Sequence, residues 1–485
     1  MNTVQRIAKN TAVLLAANII SKALSFFYIM YAARYLGAEG FGILSFALAF
    51  TGIFGVFTDL GLKLLTVREV ARDKSLAGKY LGNITVIKIF LVTITFGLIA
   101  IIINLLGYPE QTIRVVYIIA LTVIFNTFTG MFDSIFQAFE KMEYQSLGQI
   151  LHSILMFAGV LFAISQKFSV VGFASIYFWA SVIVLVYSFI VCVRKFVLPK
   201  IEIDWGFWKP TIKTALPFSL TIIIAGMFFN IDIVMLSTMK GNEFTGWYKA
   251  AINLVLFINT IAISFIYAII PKMSKLFISN KSTLKTALEK SSKYLFILAL
   301  PISAGIFVLA DRLILFIYGT EFVQATIALR ILSLYLPLRV ISHVTGWTLA
   351  SINREPLRTI SAGIALLLNI CLNFIFIPIF GIAGAGIATL ISQILLFYLY
   401  FYFVSKHFHR LPLYKIILKP CISCIIMILF ILIFKGINLF ILVIFSAIIY
   451  FAILWILKIF DSEDKKVFNN FLKPIDQLLQ KPNSD

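Results

Sequence analysis

Apolar runs of about 20 residues recur from one end of this chain to the other, and that feature restricts the fold more than any other. A helix rises 1.5 Å per residue, so a run of about 20 crosses the roughly 30 Å of a bilayer's hydrocarbon. Of 485 residues, 61% are hydrophobic and 13% charged; a soluble domain carries about 25% charged residues. The excess apolar surface has no water-soluble core to enter, so lipid is the solvent. A membrane β-barrel would show weakly alternating segments of about 10 residues, whereas these runs are continuous. The expectation is an all-α polytopic membrane protein. Arg6 and Lys9 precede the first run as in a signal peptide, but no small-x-small cleavage site follows and Lys22 interrupts the apolar stretch. That run is read as the first transmembrane helix.

Fourteen helices are expected, at 10–32, 41–63, 82–106, 113–137, 146–166, 171–193, 213–238, 247–271, 294–317, 326–350, 357–378, 383–405, 414–435 and 437–457. The net charge of +20 would suggest nucleic acid on a soluble protein. Here the basic residues sit in short loops, and with the N-terminus cytoplasmic roughly 30 of the 41 fall on the inner side. Both termini are then cytoplasmic, the location is the cell membrane, and no nucleic-acid partner is implied.

The chain also repeats itself. Gly37-Ala-Glu39-Gly-Phe-Gly42 matches Gly241-Asn-Glu243-Phe-Thr-Gly246, with Ala47 over Ala251; Phe168–Gly172 resembles Phe380–Gly384. Helices 1–6 therefore overlie helices 7–12, and two such bundles around a site are a usual transporter design. The division reads as a six-helix bundle at 1–195, a cytoplasmic amphipathic linker at 196–212, a second six-helix bundle at 213–405, helices 13 and 14 at 413–457, and a cytoplasmic tail at 458–485. Trp205, Phe207 and Trp208 fit an interfacial anchor, and 280–293 is a basic amphipathic stretch on the same side.

A nucleotide-binding P-loop and an H-E-x-x-H set are both absent from the sequence. Cys421-x-x-Cys424 lies inside an apolar helix without a partner pair and reads as packing. An enzyme working on lipid-linked sugars would need a catalytic region on the outer face, and no outer loop exceeds about 10 residues. A transporter without a cofactor is expected instead.

Ionisable residues at bilayer depth are functional candidates by default. Lys22 lies near the middle of helix 1, and Asn18, Lys22 and Ser25 share one helical face. That face is expected to line a wet cavity; a lysine held by a structural carboxylate is the alternative. Arg339, two residues after Pro337 in helix 10, has a planar fork suited to phosphate. Lys22 and Arg339 together would give a cavity between the bundles a positive centre and favour an anionic substrate. Lys88, six residues inside helix 3, reads better as a lysine snorkelling to the surface than as a cavity residue. Asp59 and Lys63 read as an i, i+4 pair on helix 2. Asp133 could pair with a basic residue of the cavity. Asp232 is a carboxylate on helix 7 without a basic neighbour in sequence; Asn369 and Asn373 are one turn apart on helix 11, as are Ala385 and Thr389 on helix 12. One carboxylate with neutral oxygens suits a hard monovalent cation such as Na⁺; a proton on Asp232, or simple interhelical hydrogen bonding by the two asparagines, are the alternatives.

Arg34-Tyr-Leu-Gly37-Ala-Glu-Gly40-Phe-Gly42, Asp59-Leu-Gly61 before Thr66-Val-Arg68-Glu69, Leu216-Pro217-Phe218 with Asn230-Ile-Asp232, and the stretch from Asn373 through Pro378 and Gly381 to Gly386 occur in an order and spacing that resembles the oligosaccharide flippases of polysaccharide biosynthesis, a branch of the MOP superfamily (multidrug, oligosaccharidyl-lipid, polysaccharide). The resemblance covers nearly the whole chain. It implies two six-helix bundles, a central cationic cavity and alternating access; Lys22, Arg339, Asn18, Asp133 and Lys88 are the candidate substrate contacts. It implies a polyprenyl-(pyro)phosphate-linked oligosaccharide as substrate, carried from the cytoplasmic to the outer leaflet. A glycan polymerase or glycosyltransferases are the protein partners that such a role implies. Helices 13 and 14 resemble those of lipid II flippases, where they accompany a lipid-facing groove; drug antiporters of the superfamily, the alternative function, usually have twelve helices. The same resemblance maps a sodium site onto Asp232, Asn369, Asn373, Ala385 and Thr389. The chain departs from it at Asn373, where those flippases carry a second acid.

Overall fold

The computed structural model describes residues 3–198 and 203–460. Lys200 of the expected linker and 461–485 of the expected tail lie outside the described residues, as do the side chains of Leu216, Pro217, Phe218, Lys272 and Lys275. Among the described residues every regular element is a helix. They run α1 (Thr3–Gly55), α2 (Leu62–Arg72), α3 (Ala77–Leu105), α4 (Glu110–Ala138), α5 (Met142–Ser165), α6 (Val170–Lys195), α7 (Trp205–Lys240), α8 (Asn242–Ser279), α9 (Lys281–Tyr318), α10 (Ala325–Ser351), α11 (Glu355–Phe380), α12 (Ile382–His407), α13 (Leu413–Ile433) and α14 (Leu439–Ile456). From the third onward, these numbers coincide with those of the expected spans. Twelve described segments are long and apolar enough to cross a membrane.

The first of them, Ala16–Thr58, is 43 residues long, about twice what one crossing needs. Gly37 breaks it with φ 68° and ψ −178°, a left-handed conformation open to glycine without a Cβ penalty. Phe26 on one side of the break lies against Phe257 of α8, ring centroids 4.9 Å apart, and Gly52 and Val56 on the other side reach Asn230 and Gly226 of α7. Lys22 in the first arm and Lys63 just beyond the second line one cavity, so both arms run away from Gly37 in the same direction, and α1 is a hairpin of two spans. Gly241 repeats the device between α7 and α8, with φ 92° and ψ −179°. The matched glycines of the sequence repeat thus adopt matched conformations. The hairpins cross where no side chain fits: a Cβ on Gly42 would stand 1.7 Å from Asn242 O, and one on Gly246 would stand 1.9 Å from Ala38 O.

The second arm of α1 ends earlier than the expected 41–63. It stops at Gly55, a short 3-10 turn follows at Val56–Thr58, and Leu60 and Gly61 take positive φ. α2 is then a separate amphipathic helix that buries Leu62, Leu65, Thr66 and Val70. Asp59 sits in the break, so it is not one turn below Lys63 on a shared helix. Two other boundaries move outward. The helix expected at 213 begins at Trp205, capped by the Asp204 carboxylate on Phe207 N at 3.1 Å, so that part of the expected linker is helical. The basic stretch at 280–293 is the opening of α9, capped by Asn280 on Thr283 N at 3.0 Å.

Apolar clusters centred on Ile43, Phe50, Ile119 and Ala174, and on Leu65, Leu81 and Ile135, fill the first half. Leu288, Leu336, Val344 and Tyr400 centre that of the second, and a cluster including Ala38, Phe41, Leu236 and Tyr248 joins the two. α13 and α14 pack outside, against α9, through Ile297, Leu309, Met427 and Tyr450.

Candidate functional site

A polar cavity of about 350 Å³ in the first half is lined by Asn18, Ser21, Lys22 and Ser25 of α1, Asp133 of α4 and His152 of α5, among others. The i, i+4 and i+7 spacing of Asn18, Lys22 and Ser25 puts them on one face, and that face does line this cavity. Ser25 Oγ is turned back onto Ser21 O at 2.7 Å. Asp133 faces Lys63, with Nζ–Oδ2 at 4.0 Å, so its basic neighbour comes from α2. Lys22 has no hydrogen-bond or ion-pair partner among the described residues.

Across from it, Lys249 of α8 lies within electrostatic range, and the two ammonium charges oppose each other. Lys249 is not legible as a site residue in the sequence. A lysine in the first turn of a span reads as an interfacial anchor, and only the fold brings it to Lys22.

Arg339 lies elsewhere. It lines a smaller cavity of about 110 Å³ wholly within the second half, with Thr221, His343, Trp347 and Arg358. Its Nη1 donates to Gln393 Oε1 at 3.3 Å, and its guanidinium lies 5.1 Å from the Phe229 ring centroid. Arg358 stacks over Trp347 at 4.2 Å. Buried Nε of Arg339 and Nε2 of His343 have no hydrogen-bond partner among the described residues. The two cations expected to share one centre therefore stand in separate cavities, one in each half. Pro337 does not open α10 toward either. The carbonyl that its missing N–H leaves free, Ser333 O, accepts from Ser303 Oγ of α9 at 2.7 Å.

Lys88 neither snorkels nor lines the cavity. It is 1% exposed and its Nζ meets Asp59 Oδ1 at 2.5 Å, with Thr127 O at 3.3 Å. The reason is the break after Gly55, which frees the Asp59 carboxylate to turn toward α3. Asp59 retains only a 3.3 Å contact to the backbone N of Lys63.

Four helices converge on Asp232. Its Oδ2 accepts from Thr389 Oγ1 at 2.6 Å and from Tyr248 Oη at 2.9 Å; its Oδ1 accepts from Asn373 Nδ2 at 2.6 Å. Asn373 Nδ2 also lies 3.1 Å from Asn369 Oδ1, and Thr389 Oγ1 lies 2.9 Å from Ala385 O. Asp232 is 5% exposed and both asparagines 0%. The structure thus brings together Asp232, Asn369, Asn373 and Thr389, and adds Tyr248, which reads from sequence as one more aromatic beside Trp247. Asn373 Oδ1 is buried without a partner among the described residues. The donor set is a carboxylate, amide oxygens and hydroxyls, all hard oxygens of the kind a Na⁺ ion takes.

At the face bearing the lysine-rich segments, Asp204 ties the start of α7 to α3. Lys79 Nζ reaches Asp204 Oδ2 at 2.9 Å, and the Asp204 N–H donates to Asn83 Oδ1 at 3.0 Å. The Lys79 hydrogen bond, with that of the Phe207 amide, holds the Asp204 carboxyl below the usual carboxylate range. Trp208 Nε1 also donates to Asn83 Oδ1, at 3.0 Å, so this aromatic is tied inward.

Beside α1 and α8 runs a third cavity, of about 400 Å³, bounded by α9, α13 and α14. Phe26, Phe257, Ile302, Leu309 and Met427 represent its lining. Its two hydroxyls, Ser446 and Tyr450, already donate to Leu442 O at 2.6 Å and Ile297 O at 2.9 Å.

Comparison with known proteins places this geometry. The chain is 24% identical over 400 residues to the probable low-salt glycan biosynthesis flippase Agl15 of Haloferax volcanii, covering 80% of this chain and 81% of that protein. It is 23% identical over 413 residues to the capsular polysaccharide biosynthesis protein CapF of Staphylococcus aureus, covering 82% and 100%. Among solved structures, the lipid II flippase MurJ in its inward closed conformation superposes with a TM-score of 0.77 over 91% of this chain and 98% of that chain, at 18% identity. An inward-facing multidrug resistance MATE family transporter of the MOP superfamily gives 0.66 over 79% and 95%, at 17% identity. At these identities the likeness is one of fold. The polysaccharide biosynthesis protein family matches residues 7–277, more than half of the chain, and this protein belongs to that family.

Proposed function

We propose that this protein carries a polyprenyl-(pyro)phosphate-linked oligosaccharide from the cytoplasmic to the outer leaflet of the cell membrane by alternating access. The observation that carries the reading is the adjacency of two unlike cavities. One is polar and presents Lys22, opposed by Lys249, without an ion-pair partner. The other is apolar and bounded by α13 and α14. Two uncompensated ammonium groups at bilayer depth are costly, and a phosphate between them would relieve the cost. A lipid tail needs only the apolar cavity. The outer closure fits one stage of such a cycle: Arg34 Nε donates to Ile317 O at 2.8 Å with its Nη2 on Phe316 O, and Tyr108 Oη donates to Ser237 Oγ at 2.9 Å. Arg339 then serves a second anionic or hydroxyl-rich part of the substrate from its own cavity. The Asp232 cluster is the place where this reading puts coupling to a cation.

The test is complementation in cells that lack the protein. Lys22→Ala and Arg339→Ala should abolish surface glycan while the protein stays in the membrane. Arg339→Lys should rescue only in part, because a point charge replaces a planar fork. Normal surface glycan with both alanine variants would refute the cationic-site reading.

A further inference from the structure

The cavity of the second half carries two guanidinium groups and no carboxylate in its lining. Arg339, His343 and Trp347 follow one another at single-turn intervals along α10, which puts them on one face, and all three line the cavity. Arg358, in the first turn of α11, lies over the Trp347 ring at 4.2 Å. His343 is within electrostatic range of both guanidiniums. Neither arginine has an ion-pair partner among the described residues.

A charge inside a membrane protein is ordinarily paired. Asp232 of the neighbouring α7 does not serve, because its oxygens accept from Thr389, Tyr248 and Asn373. The Phe229 ring, 5.1 Å from the Arg339 guanidinium, offsets only part of a desolvated charge. Donors are also left over. Arg339 Nη1 makes a long bond to Gln393 Oε1, 3.3 Å, and Gln393 is held in place by its own bond to Ser342 Oγ at 2.8 Å. Arg339 Nε and His343 Nε2, one turn apart, have no acceptor among the described residues. A sugar hydroxyl could accept from these donors and leave the charge unbalanced, whereas an oxyanion answers both needs. The volume of about 110 Å³ is well below the roughly 300–1,000 Å³ of a pocket that encloses a whole ligand, so the occupant is a single group.

We infer that this cavity is a binding site for one compact oxyanion, a carboxylate or phosphate group, held by Arg339 and His343 with Arg358 as the second positive charge. The inference narrows the role given above to Arg339 and rests on that reading only for the origin of the group. An acidic substituent of the carried glycan and a free inorganic ion present the same oxygens.

The test uses the full chain in phosphatidylcholine nanodiscs, with inorganic phosphate, glucuronate and glucose as ligands. Binding is read as the part of the tryptophan emission change that Trp347→Phe lacks. Phosphate and glucuronate should each give a saturable change and compete with each other, and glucose at the same concentration should give none. Arg339→Gln should weaken binding about tenfold or more, and Arg339→Lys less, because a point charge remains. Tighter binding of glucuronate assigns the oxyanion to a sugar of the substrate, tighter binding of phosphate assigns it to a free ion, and either result upholds the site. A response to glucose equal to that to glucuronate overturns the inference. So does a response lost in Lys22→Ala, which would place the ion in the other cavity. If Arg339→Gln abolishes surface glycan while its phosphate binding stays at the wild-type level, this inference fails and the transport reading stands. If the Arg339 variants misfold, wild type alone decides: no saturable response to either anion rejects the site.

Discussion

Lys88 and Asp59 show what a single pair can decide inside this membrane protein. Lys88 is 1% exposed, and its one carboxylate partner, at 2.5 Å, comes from the break between α1 and α2. Removing one member of a buried pair leaves an uncompensated charge and costs about 3–5 kcal/mol. Asp59→Asn should therefore lower the unfolding midpoint sharply in detergent, while Asp59→Asn combined with Lys88→Met should recover most of the loss. Equal destabilisation by the single and double variants would show that the pair contributes nothing as a pair. At this scale the sequence was readable when the partners lie on one helix. Asn18, Lys22 and Ser25 line a cavity together because spacing along a helix fixes their face. It was unreadable when the partner lies elsewhere in the fold. Asp59 is 29 residues from Lys88 and is available only because α1 stops at Gly55, and Lys249 gains its meaning only from Lys22 across the α1–α8 interface.

At the scale of elements, the spans were legible from their length and hydropathy, and the glycine repeat located the hairpin turns. What stayed hidden is how helices meet. The prolines at 301 and 337 were visible, but not that hydroxyls from neighbouring helices take the carbonyls they free: Tyr450 on Ile297 O at 2.9 Å and Ser303 on Ser333 O at 2.7 Å. The tightest meeting is the crossing of Gly42 and Gly246, where a Cβ would fall 1.7 Å and 1.9 Å from main-chain oxygens. Backbone cannot yield as a side-chain tip can, so even Gly42→Ala should part the α1 and α7–α8 hairpins. Cysteines replacing Tyr108 and Ser237, whose hydroxyls are bonded at 2.9 Å across that closure, should be joined by a short bifunctional thiol reagent that spans the space of the lost tyrosine ring, too wide for a direct disulfide, in a background lacking the four native cysteines. Gly42→Ala should abolish the cross-link and transport together. Gly97→Ala, with nothing within 4 Å of its added Cβ, should leave both intact. Undiminished cross-linking in Gly42→Ala would mean that the crossing does not hold the closure.

For the whole molecule, the question is how a cation held in one half could move both. Asp232 lies nine residues before Gly241 on α7, roughly 14 Å along the helix, and Tyr248 lies seven residues beyond it on α8. The cluster therefore ties together the two arms of the hairpin whose turn crosses Gly42. Through Asn369, Asn373 and Thr389 it also reaches α11 and α12. In the present arrangement the carboxylate is satisfied by three donors, while Asn373 Oδ1 is left buried without one. A Na⁺ ion takes oxygens, not N–H groups. Binding would require the Asn373 amide to turn its oxygen inward and the two hydroxyls to redirect their protons. Those are differential contacts between an ion-bound and an ion-free hairpin, and an ion can shift a conformational equilibrium only through such a difference. The site has one formal negative charge, so the affinity should be modest and Asp232 indispensable. The deciding measurement is flipping of lipid-linked oligosaccharide in proteoliposomes under an imposed Na⁺ gradient with equal pH on both sides. Wild type should respond to the gradient and Asp232→Asn should not. Asn373→Asp, which adds a second carboxylate, should shift the response to lower Na⁺ concentration by tightening the ion. Transport indifferent to Na⁺ but driven by a pH difference would end the sodium assignment and leave Asp232 as a proton carrier, with Thr389, Tyr248 and Asn373 as the donors that hold its charged form.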